Sequence, residues 1–266
     1  MGEWRPGSWY DDGHWMGERK YAPRWPVDYN TVRFSDQART ILQMGGLGVS
    51  VLDLGSGNGM FAAMLWHTGH RGKYRGFDFS PGSVVHAVEG NAEQGGHQNA
   101  EFELCDLEEV DVAGLMADQF GDHDDVLVTS GETLEHMRDD RRLISTVPSG
   151  TRCVITVPRF GGSAHVRWWF TREQLEDYWQ RFFVDESWEH HWVAHRRRPE
   201  GDWCHSFSGV RNEAWHMVGD QTWGDKGTWR PTFGCPPLPA EEHADRTEPM
   251  ENDGEFGFRV RREGVF

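Results

Sequence analysis

The stretch Val51-Leu52-Asp53-Leu54-Gly55-Ser56-Gly57-Asn58-Gly59-Met60 decides the fold of this 266-residue chain. Its apolar first half is typical of a strand that is buried on both faces. The apolar residues behind it, Phe61, Ala62, Met64 and Leu65, have the spacing of a helix. The three glycines allow a tight turn between strand and helix, and the N–H groups of the helix start point into that turn. The stretch therefore predicts one βα unit with a ligand-binding loop, the alternative being a plain strand-to-helix turn.

The spacing of the glycines separates two classes of cofactor. A dinucleotide fingerprint needs its third glycine at position 60, where this chain has Met60. The observed Asp-x-Gly-x-Gly-x-Gly instead resembles the first motif of class I S-adenosylmethionine-dependent methyltransferases. In that family the loop wraps the amino-acid and ribose part of the cofactor. The resemblance implies cofactor contacts from Asp53, Gly55, Ser56, Gly57, Asn58 and Gly59.

Composition limits the partners that we expect. The formal net charge of −16 argues against a broad nucleic-acid surface, so we expect no extended duplex as partner. No run of about 18 apolar residues is present, and residues 1–10 lack a signal-peptide pattern, so we expect a cytoplasmic protein with no membrane contact. The four cysteines form no C-x-x-C pair and are interpreted as reduced thiols. Fourteen tryptophans either line a substrate cleft or pack loops.

Each of the next two predicted strands ends in an acidic residue. Asp78 ends the second strand about 20 residues after the loop, which places it beside the ribose hydroxyls of a bound nucleotide. The alternative is an Asx turn before Ser80. Asp106 ends the third strand, and the family resemblance implies that it approaches the adenine amino group, with Leu107 beside it. The same resemblance adds Phe79, and Ser130 at the end of the fourth strand, to the cofactor contacts.

A second group of functional residues follows the fourth strand, in Ser130-Gly131-Glu132-Thr133-Leu134-Glu135-His136. On a helix Glu132, Glu135 and His136 would share one face, and we interpret them as the catalytic candidates. Two carboxylates held that close repel each other unless a proton, a cation or a substrate lies between them. Two carboxylates and an imidazole are also acceptable ligands for Mg²⁺ or Mn²⁺.

This segment resembles the Glu-x-x-Glu-His of small-RNA 3′-terminal 2′-O-methyltransferases, whose metal is completed by a downstream histidine. The resemblance implies a metal site made of Glu132, Glu135, His136 and His165. That family usually has Pro-Asn after the fifth strand, whereas this chain has Pro158-Arg159. The shorter Leu-Glu-His also resembles quinone-type O-methyltransferases that bind no metal. For His136 three roles therefore stay open: metal ligand, base or substrate contact, and structural residue.

The remaining patterns complete the predicted architecture. A helix over 35–44 with Ser35 as N-cap precedes the first strand, and a helix over 171–183 with Thr171 as N-cap follows the fifth. Two more strands are predicted near 187–195 and 206–218. The fold class is α/β: a doubly wound, mostly parallel, seven-stranded Rossmann-like sheet with one antiparallel edge strand. The predicted domain organisation is an N-terminal arm or lid at 1–34, a methyltransferase domain at 35–218 and a loop-rich, acidic extension at 219–266.

The arm contributes Trp25, Tyr29 and Phe34 as candidates for a lid over the cofactor. Together these patterns predict an S-adenosylmethionine-dependent methyltransferase that acts on a small-molecule or nucleoside-like acceptor, with an oxygen atom as the methyl acceptor. One alternative is a metal-dependent RNA 3′-terminal 2′-O-methyltransferase. The other is a partner protein that binds the cofactor without turnover. The sequence leaves the oligomeric state open.

Overall fold

A mixed β-sheet forms the centre of the chain in the computed structural model. The structure describes residues 29–93, 96–121, 125–159, 165–169, 171–195, 202–212 and 258–262. The strands are β1 (Ser50–Leu54), β2 (Tyr74–Asp78), β3 (Ala100–Leu104), β4 (Val126–Gly131), β5 (Arg152–Pro158), β6 (Glu189–His195), β7 (Asp202–Val210) and β8 (Phe258–Arg262). The α-helices are α1 (Tyr29–Gly45), α2 (Met60–His67), α3 (Pro81–Glu93), α4 (Val112–Phe120), α5 (Asp140–Ser145) and α6 (Arg172–Trp179). Short 3₁₀ turns span Leu134–His136, Gln180–Phe182 and Asp185–Ser187.

The strand order is β3-β2-β1-β4-β5-β7-β6-β8. Strands β1 to β5 pair in parallel, and the order reverses between β1 and β4, which is where α/β sheets bind ligands. The predicted Rossmann-like, mostly parallel sheet is therefore confirmed. Strand β7 lies between β5 and β6 and is antiparallel to both, so this antiparallel strand is inside the sheet and not at its edge. An eighth strand, β8, extends the sheet antiparallel to β6 and comes from a segment predicted to be loop-rich.

Alternate residues of the central strands are buried on opposite faces of the sheet. Leu52, Leu54, Val126 and Val128 belong to one apolar cluster, together with buried residues of α4, α5 and α6. The alternate strand positions belong to a second cluster with buried residues of α1, α2 and α3, and they are Val51, Leu127 and Val154. The central strands are apolar at consecutive positions because helices cover both faces of the sheet. None of the helices in the described ranges is both long and apolar enough to cross a membrane.

Helix boundaries agree with the sequence at some ends only. Thr171 is the N-cap of α6, as predicted, and forms a capping box in which its Oγ1 accepts from the N–H of Gln174 at 3.2 Å. Helix α1 begins at Tyr29, so the predicted N-cap Ser35 lies inside it. The sequence did not predict this earlier start because residues 29–34 lack the helical spacing of apolar residues, and contacts such as the one between Arg33 and Thr156 hold them. Trp25, one of the lid candidates, lies outside the described residues.

Side chains of helix α1 are hydrogen-bonded to three strands. Its Asp36 carboxylate accepts hydrogen bonds from Nε2 of His191 on β6 and from the guanidinium of Arg39. Gln37 Nε2 donates to Thr129 Oγ1 on β4 at 2.7 Å. Arg33 Nη1 donates to Thr156 Oγ1 on β5 at 3.2 Å. The helix is thus fixed against β4, β5 and β6.

The buried contact between Asp36 and His191 generates a stability prediction. Asp36→Ala is expected to lower the free energy of unfolding by about 3 kcal/mol, because it leaves the His191 ring buried without its partner. Arg39→Ala removes the half-exposed partner of the same carboxylate and is the matched control, with an expected loss below about 1 kcal/mol. Urea denaturation of the three proteins measures both values. Equal losses in the two variants would contradict the assignment of Asp36 as the anchor of α1.

Candidate active site

The loop between β1 and α2 has the backbone conformation that its glycines allow. Gly55 and Gly57 have φ values of 87° and 54°, both in the left-handed region. A Cβ atom at Gly55 would lie 2.0 Å from Thr133 Oγ1, so only glycine allows this loop to contact the segment after β4. A Cβ atom at Gly57 would meet nothing within 4 Å, because this part of the loop faces open space. The loop thus presents bare backbone to whatever occupies that space.

Asp78 at the end of β2 holds the loop in place. Its Oδ2 accepts from the N–H of Gly57 at 2.9 Å, and its Oδ1 accepts from the N–H of Ser80 at 3.0 Å. The second bond is the Asx turn considered from the sequence. Asp78 nevertheless also lines the cavity, and a carboxylate oxygen can accept more than one hydrogen bond. The structural and the ligand-binding role of Asp78 are therefore compatible.

A cavity of about 230 Å³ lies at the carboxyl ends of the strands. It brings together most of the residues that the sequence singled out: Asp53, Gly55, Ser56, Gly57, Asn58, Asp78, Phe79, Asp106, Leu107, Glu132 and His136. Two predicted cofactor contacts lie outside the lining. Gly59 packs against Ala87 and Phe102, and the Ser130 hydroxyl donates to the Leu54 carbonyl at 2.9 Å. Their observed contacts are thus with the protein itself.

Several lining residues were not predicted from the sequence, and most of them lie on helices beside the loop. Phe34 was a lid candidate and does line the cavity, packing on Phe61 with ring centres 5.7 Å apart. Arg33 and Gln37 stand one helical turn apart on α1, a spacing that becomes visible only when the helix is extended to Tyr29. The remaining lining residues that were not predicted are Met60, Phe61, Ser83, Glu108, Gly131, Thr133 and Met137.

Asp53 is a buried acid in the cavity wall. It is 2% exposed and accepts a hydrogen bond from the Tyr74 hydroxyl. Burial raises the pKa of Asp53 to about 7, although the Tyr74 hydrogen bond acts in the opposite direction. The charge of Asp78 raises this pKa further, and the Arg33 guanidinium lowers it. The protonation of Asp53 therefore changes near neutral pH.

This pKa predicts how stability depends on pH. The folded protein keeps Asp53 protonated up to about pH 7, whereas an unfolded chain ionises it near pH 4. The folded state thus binds more protons in this window, and its stability falls as the pH rises through it. Asp53→Asn cannot ionise and should gain roughly 3 kcal/mol relative to wild type between pH 5 and pH 8.

Urea denaturation of the ligand-free protein at both pH values measures this difference. Asp111→Asn changes an acid at the surface, at the N-cap of α4, and is the control. A difference between wild type and Asp53→Asn that stays constant from pH 5 to pH 8 would show that Asp53 does not titrate there.

The segment after β4 departs from the predicted helix. Glu132 has a φ of 57°, unusual for a residue other than glycine, and its N–H donates to the Thr156 carbonyl at 2.9 Å. Only one 3₁₀ turn, Leu134–His136, follows. The expected common helical face of Glu132, Glu135 and His136 is therefore wrong, because the bond to β5 prevents a helix from starting at Glu132. Glu132 and His136 line the cavity, while the Glu135 side chain is completely buried.

Glu135, His136 and His165 nevertheless form a cluster. Their potential ligand atoms all lie within 4.8 Å of one another. The rings of the two histidines are edge to face with centres 4.8 Å apart, and Glu135 Oε1 is 3.6 Å from His136 Nε2. Neither carboxylate oxygen of Glu135 has a hydrogen-bond partner among the described residues. Burial, and next the charge of Glu132, raise the pKa of Glu135 well above its usual range.

This donor set fits a divalent cation in part. One carboxylate and two imidazoles suit Mn²⁺, and a cation would supply the partner that the buried Glu135 oxygens lack. Ligand atoms around one Mg²⁺-sized ion are at most about 4.2 Å apart, so the three side chains would have to close by a few tenths of an ångström. Glu132, the fourth predicted ligand, does not belong to the cluster. The structure thus brings together three of the four residues predicted to hold a metal.

His165 is positioned by contacts that the sequence did not reveal. The N–H of Val166 donates to the Glu135 carbonyl at 2.8 Å. Arg167 is buried and forms an ion pair with Asp140 at the start of α5. Its Nη2 also donates to the Arg138 carbonyl at 3.0 Å, and the Tyr178 hydroxyl donates to Asp140 Oδ1 at 2.9 Å. These bonds attach the segment 165–169 to the body of the protein without any helix or strand of its own.

The cavity also fits S-adenosylmethionine. The loop offers bare backbone at Gly57, Asp78 offers a carboxylate as hydrogen-bond acceptor for a diol, and Phe79 and Leu107 supply apolar surface for a base. Asp106 adds a hydrogen-bond acceptor at the same end. Fold and site together are those of a class I S-adenosylmethionine-dependent methyltransferase.

Comparison with known proteins agrees with this class. A family model described as "Methyltransferase domain" matches residues 47–179, half of the chain, and the chain belongs to this family. No curated protein matches.

Similar solved structures share the fold at low sequence identity. Magnesium protoporphyrin IX methyltransferase (ChlM) from Synechocystis PCC 6803 with bound SAM is 15% identical, with a TM-score of 0.53 over 77% of this chain and 94% of that one. The methyltransferase domain of bacterial CtHen1-C is 16% identical, with a TM-score of 0.51 over 70% of this chain and 100% of that one. EvdMO1 is 18% identical with a TM-score of 0.47, and the match covers 67% of this chain and 41% of EvdMO1.

Proposed function

We propose that this protein transfers the methyl group of S-adenosylmethionine to an oxygen atom of a small-molecule or nucleoside-like acceptor. The observation that supports this proposal is that one cavity joins the glycine loop, Asp78 and Asp106 to Glu132 and His136. S-adenosylmethionine supplies an electrophilic methyl group on a positively charged sulfur. The task of the protein is then to hold donor and acceptor in line and to remove a proton from the acceptor.

The cofactor end of the cavity lies at β1, β2 and β3. Asp78 would accept hydrogen bonds from two ribose hydroxyls while it keeps its bonds to Gly57 and Ser80. Asp106 and Leu107 would hold the base, with a hydrogen bond from the side chain and a contact with the backbone. The bare backbone at Gly57 allows the ligand to approach closely. These contacts involve neutral, polar groups of a nucleoside and do not require a basic surface.

The acceptor end lies at β4 and β5. His136 faces the cavity, and its imidazole would take the proton of an acceptor hydroxyl as general base. Glu135 lies behind it, with Oε1 3.6 Å from Nε2, and would stabilise the imidazolium that forms. Glu132 would bind a further hydroxyl of the acceptor. The proposal of an oxygen acceptor rests on this base, because a hydroxyl must lose its proton when it is methylated.

Calorimetric titration with S-adenosylhomocysteine tests the cofactor assignment. We expect wild type to bind it and Asp78→Ala to lose at least about 30-fold in affinity, since two charge-assisted hydrogen bonds to the ligand and the bond that orders Gly57 disappear. Glu103→Ala removes an exposed acid from the neighbouring strand β3, outside the cavity, and should bind like wild type. Absence of binding by well-folded wild-type protein would refute the proposed function. It would leave a partner protein that kept the fold without the cofactor.

A second candidate function is metal-dependent 2′-O-methylation of an RNA 3′ end. It is favoured by the cluster of Glu135, His136 and His165 and by the unsatisfied Glu135 oxygens. A cation held there would lower the pKa of a terminal ribose hydroxyl. The net charge of −16 favours contact with a short end over contact with an extended duplex.

Mn²⁺ titration separates the two candidates. If the cluster holds a metal, Mn²⁺ binds the wild-type protein, and His165→Ala weakens that binding by about 10- to 100-fold because one of three donors is lost. His86→Ala removes an exposed histidine on α3 and is the matched control. Methyl transfer that continues in excess chelator would rule out the metal-dependent function. It would leave His136 as the base.

A further inference from the structure

Two buried histidines, His190 on β6 and His205 on β7, lie outside the cavity lining. Their exposed fractions are 6% and 0%, and Nε2 of His190 is 3.0 Å from Nδ1 of His205. Nε2 of His205 is in turn 2.7 Å from the carbonyl oxygen of Trp169. Trp169 is the last residue of the segment 165–169, which begins with His165. The pair of histidines therefore contacts the segment that brings His165 to the site.

The contacts of the two rings determine which of their nitrogen atoms carry hydrogen. A carbonyl oxygen only accepts, so Nε2 of His205 donates to Trp169. Burial lowers the pKa of both histidines to about 3, so both rings are neutral near neutral pH and each carries one ring hydrogen. Nδ1 of His205 is then an acceptor, and Nε2 of His190 donates to it. His205 is thus held as a donor toward the Trp169 carbonyl.

A tryptophan ring keeps His205 in this orientation. Trp192 lies directly opposite His205 in the antiparallel pair of β6 and β7, and the ring centres are 4.0 Å apart. The same indole contacts His190 edge to face, with ring centres 5.1 Å apart. On the other side of β7, His205 is paired with Val157 of β5. A buried ring packed in this way has little room to turn away from Trp169.

The Trp169 carbonyl is one of the groups whose bonds set the path of the segment 165–169. The segment contains no helix or strand, so contacts with other elements must satisfy its backbone groups. The N–H of Trp169 donates to the Pro158 carbonyl over a long distance of 3.4 Å, whereas the bond from His205 is 2.7 Å. Trp169 is only 3% exposed, so water cannot readily replace a lost donor. A buried carbonyl without a donor is costly, so the segment would move if His205 no longer donated.

We propose that His205 is a positioning residue, which acts through the Trp169 carbonyl to hold His165 in its place. There the His165 ring meets the His136 ring edge to face, with ring centres 4.8 Å apart. The inference rests on the proposed function, because it assigns to His205 the task of shaping the acceptor end, where His136 faces the cavity. Strands β6 and β7 then contribute to the acceptor end, although none of their described residues lines the cavity.

Variants of His205 that differ in reach test this inference by NMR spectroscopy of the metal-free protein with labelled histidine rings. In wild type we expect a nuclear Overhauser cross-peak between the rings of His136 and His165, since the two rings are in contact. His205→Gln places an amide N–H₂ close to the position of Nε2 and should keep the cross-peak. His205→Asn carries the same amide on a shorter side chain, which does not reach Trp169, and should lose the cross-peak.

A second pair of buried histidines provides the matched control. His70 is completely buried, with Nδ1 2.7 Å from Nε2 of His97 and Nε2 2.6 Å from the Val49 carbonyl just before β1. His70→Asn removes the same kind of bond at the amino ends of the strands, away from the cavity. It should keep the cross-peak although it also lowers the free energy of unfolding. His205→Leu, which removes the donor and is apolar, repeats the test if His205→Asn does not fold.

A cross-peak that persists in His205→Asn overturns the inference, because His205 would then stabilise the fold without placing His165. Loss of the cross-peak in His70→Asn also overturns it, because the effect would then be a general loosening of the protein. The variants of His205 should bind S-adenosylhomocysteine within about twofold of wild type, since His205 is not among the residues that line the cavity. If wild type does not bind this ligand, the proposed function fails, whereas the cross-peak still decides what holds His165.

Discussion

The close contact between Gly55 and Thr133 is the constraint on which the rest of the site depends. Only a residue without a side chain lets the loop after β1 touch the segment after β4, since a Cβ atom at Gly55 would lie 2.0 Å from the Thr133 hydroxyl. The contact brings the walls for cofactor and acceptor together at the point where the strand order reverses. The glycine motif is therefore as much a packing requirement between two loops as a ligand-binding feature.

Helix α1 forms part of the cavity wall. Its polar residues bond to β4, β5 and β6, so the helix is held by polar bonds to three strands as well as by apolar contacts. Such buried polar bonds fix one orientation, because each of them would be costly to leave unsatisfied. Phe34 and Gln37 line the cavity as a result. A helix held this rigidly can position ligand contacts as reliably as the strands do.

Patterns with a local physical cause predicted the sheet and many of the residues that line the cavity. The buried strands, the glycine loop and Asp78 could be predicted because each has a local sequence pattern, and Asp78 lies only 21 residues from its partner Gly57. Features that depend on distant contacts were missed: Glu132 leaves the helical conformation because its N–H binds Thr156, and Arg33 reaches the cavity only because α1 starts at Tyr29. The burial of Glu135 behind His136 was hidden for the same reason.

The acidity of the cavity is itself a clue to its ligand. Asp53 in the cavity wall is costly to keep buried, and its raised pKa of about 7 expresses this cost. A wall of this kind favours a ligand that brings positive charge, and a sulfonium cofactor with an amino group does so. The same wall disfavours anionic ligands except beside Arg33. Under the proposed function, this charge distribution would favour uncharged or cationic acceptor groups beside Glu132 and His136, which face the cavity.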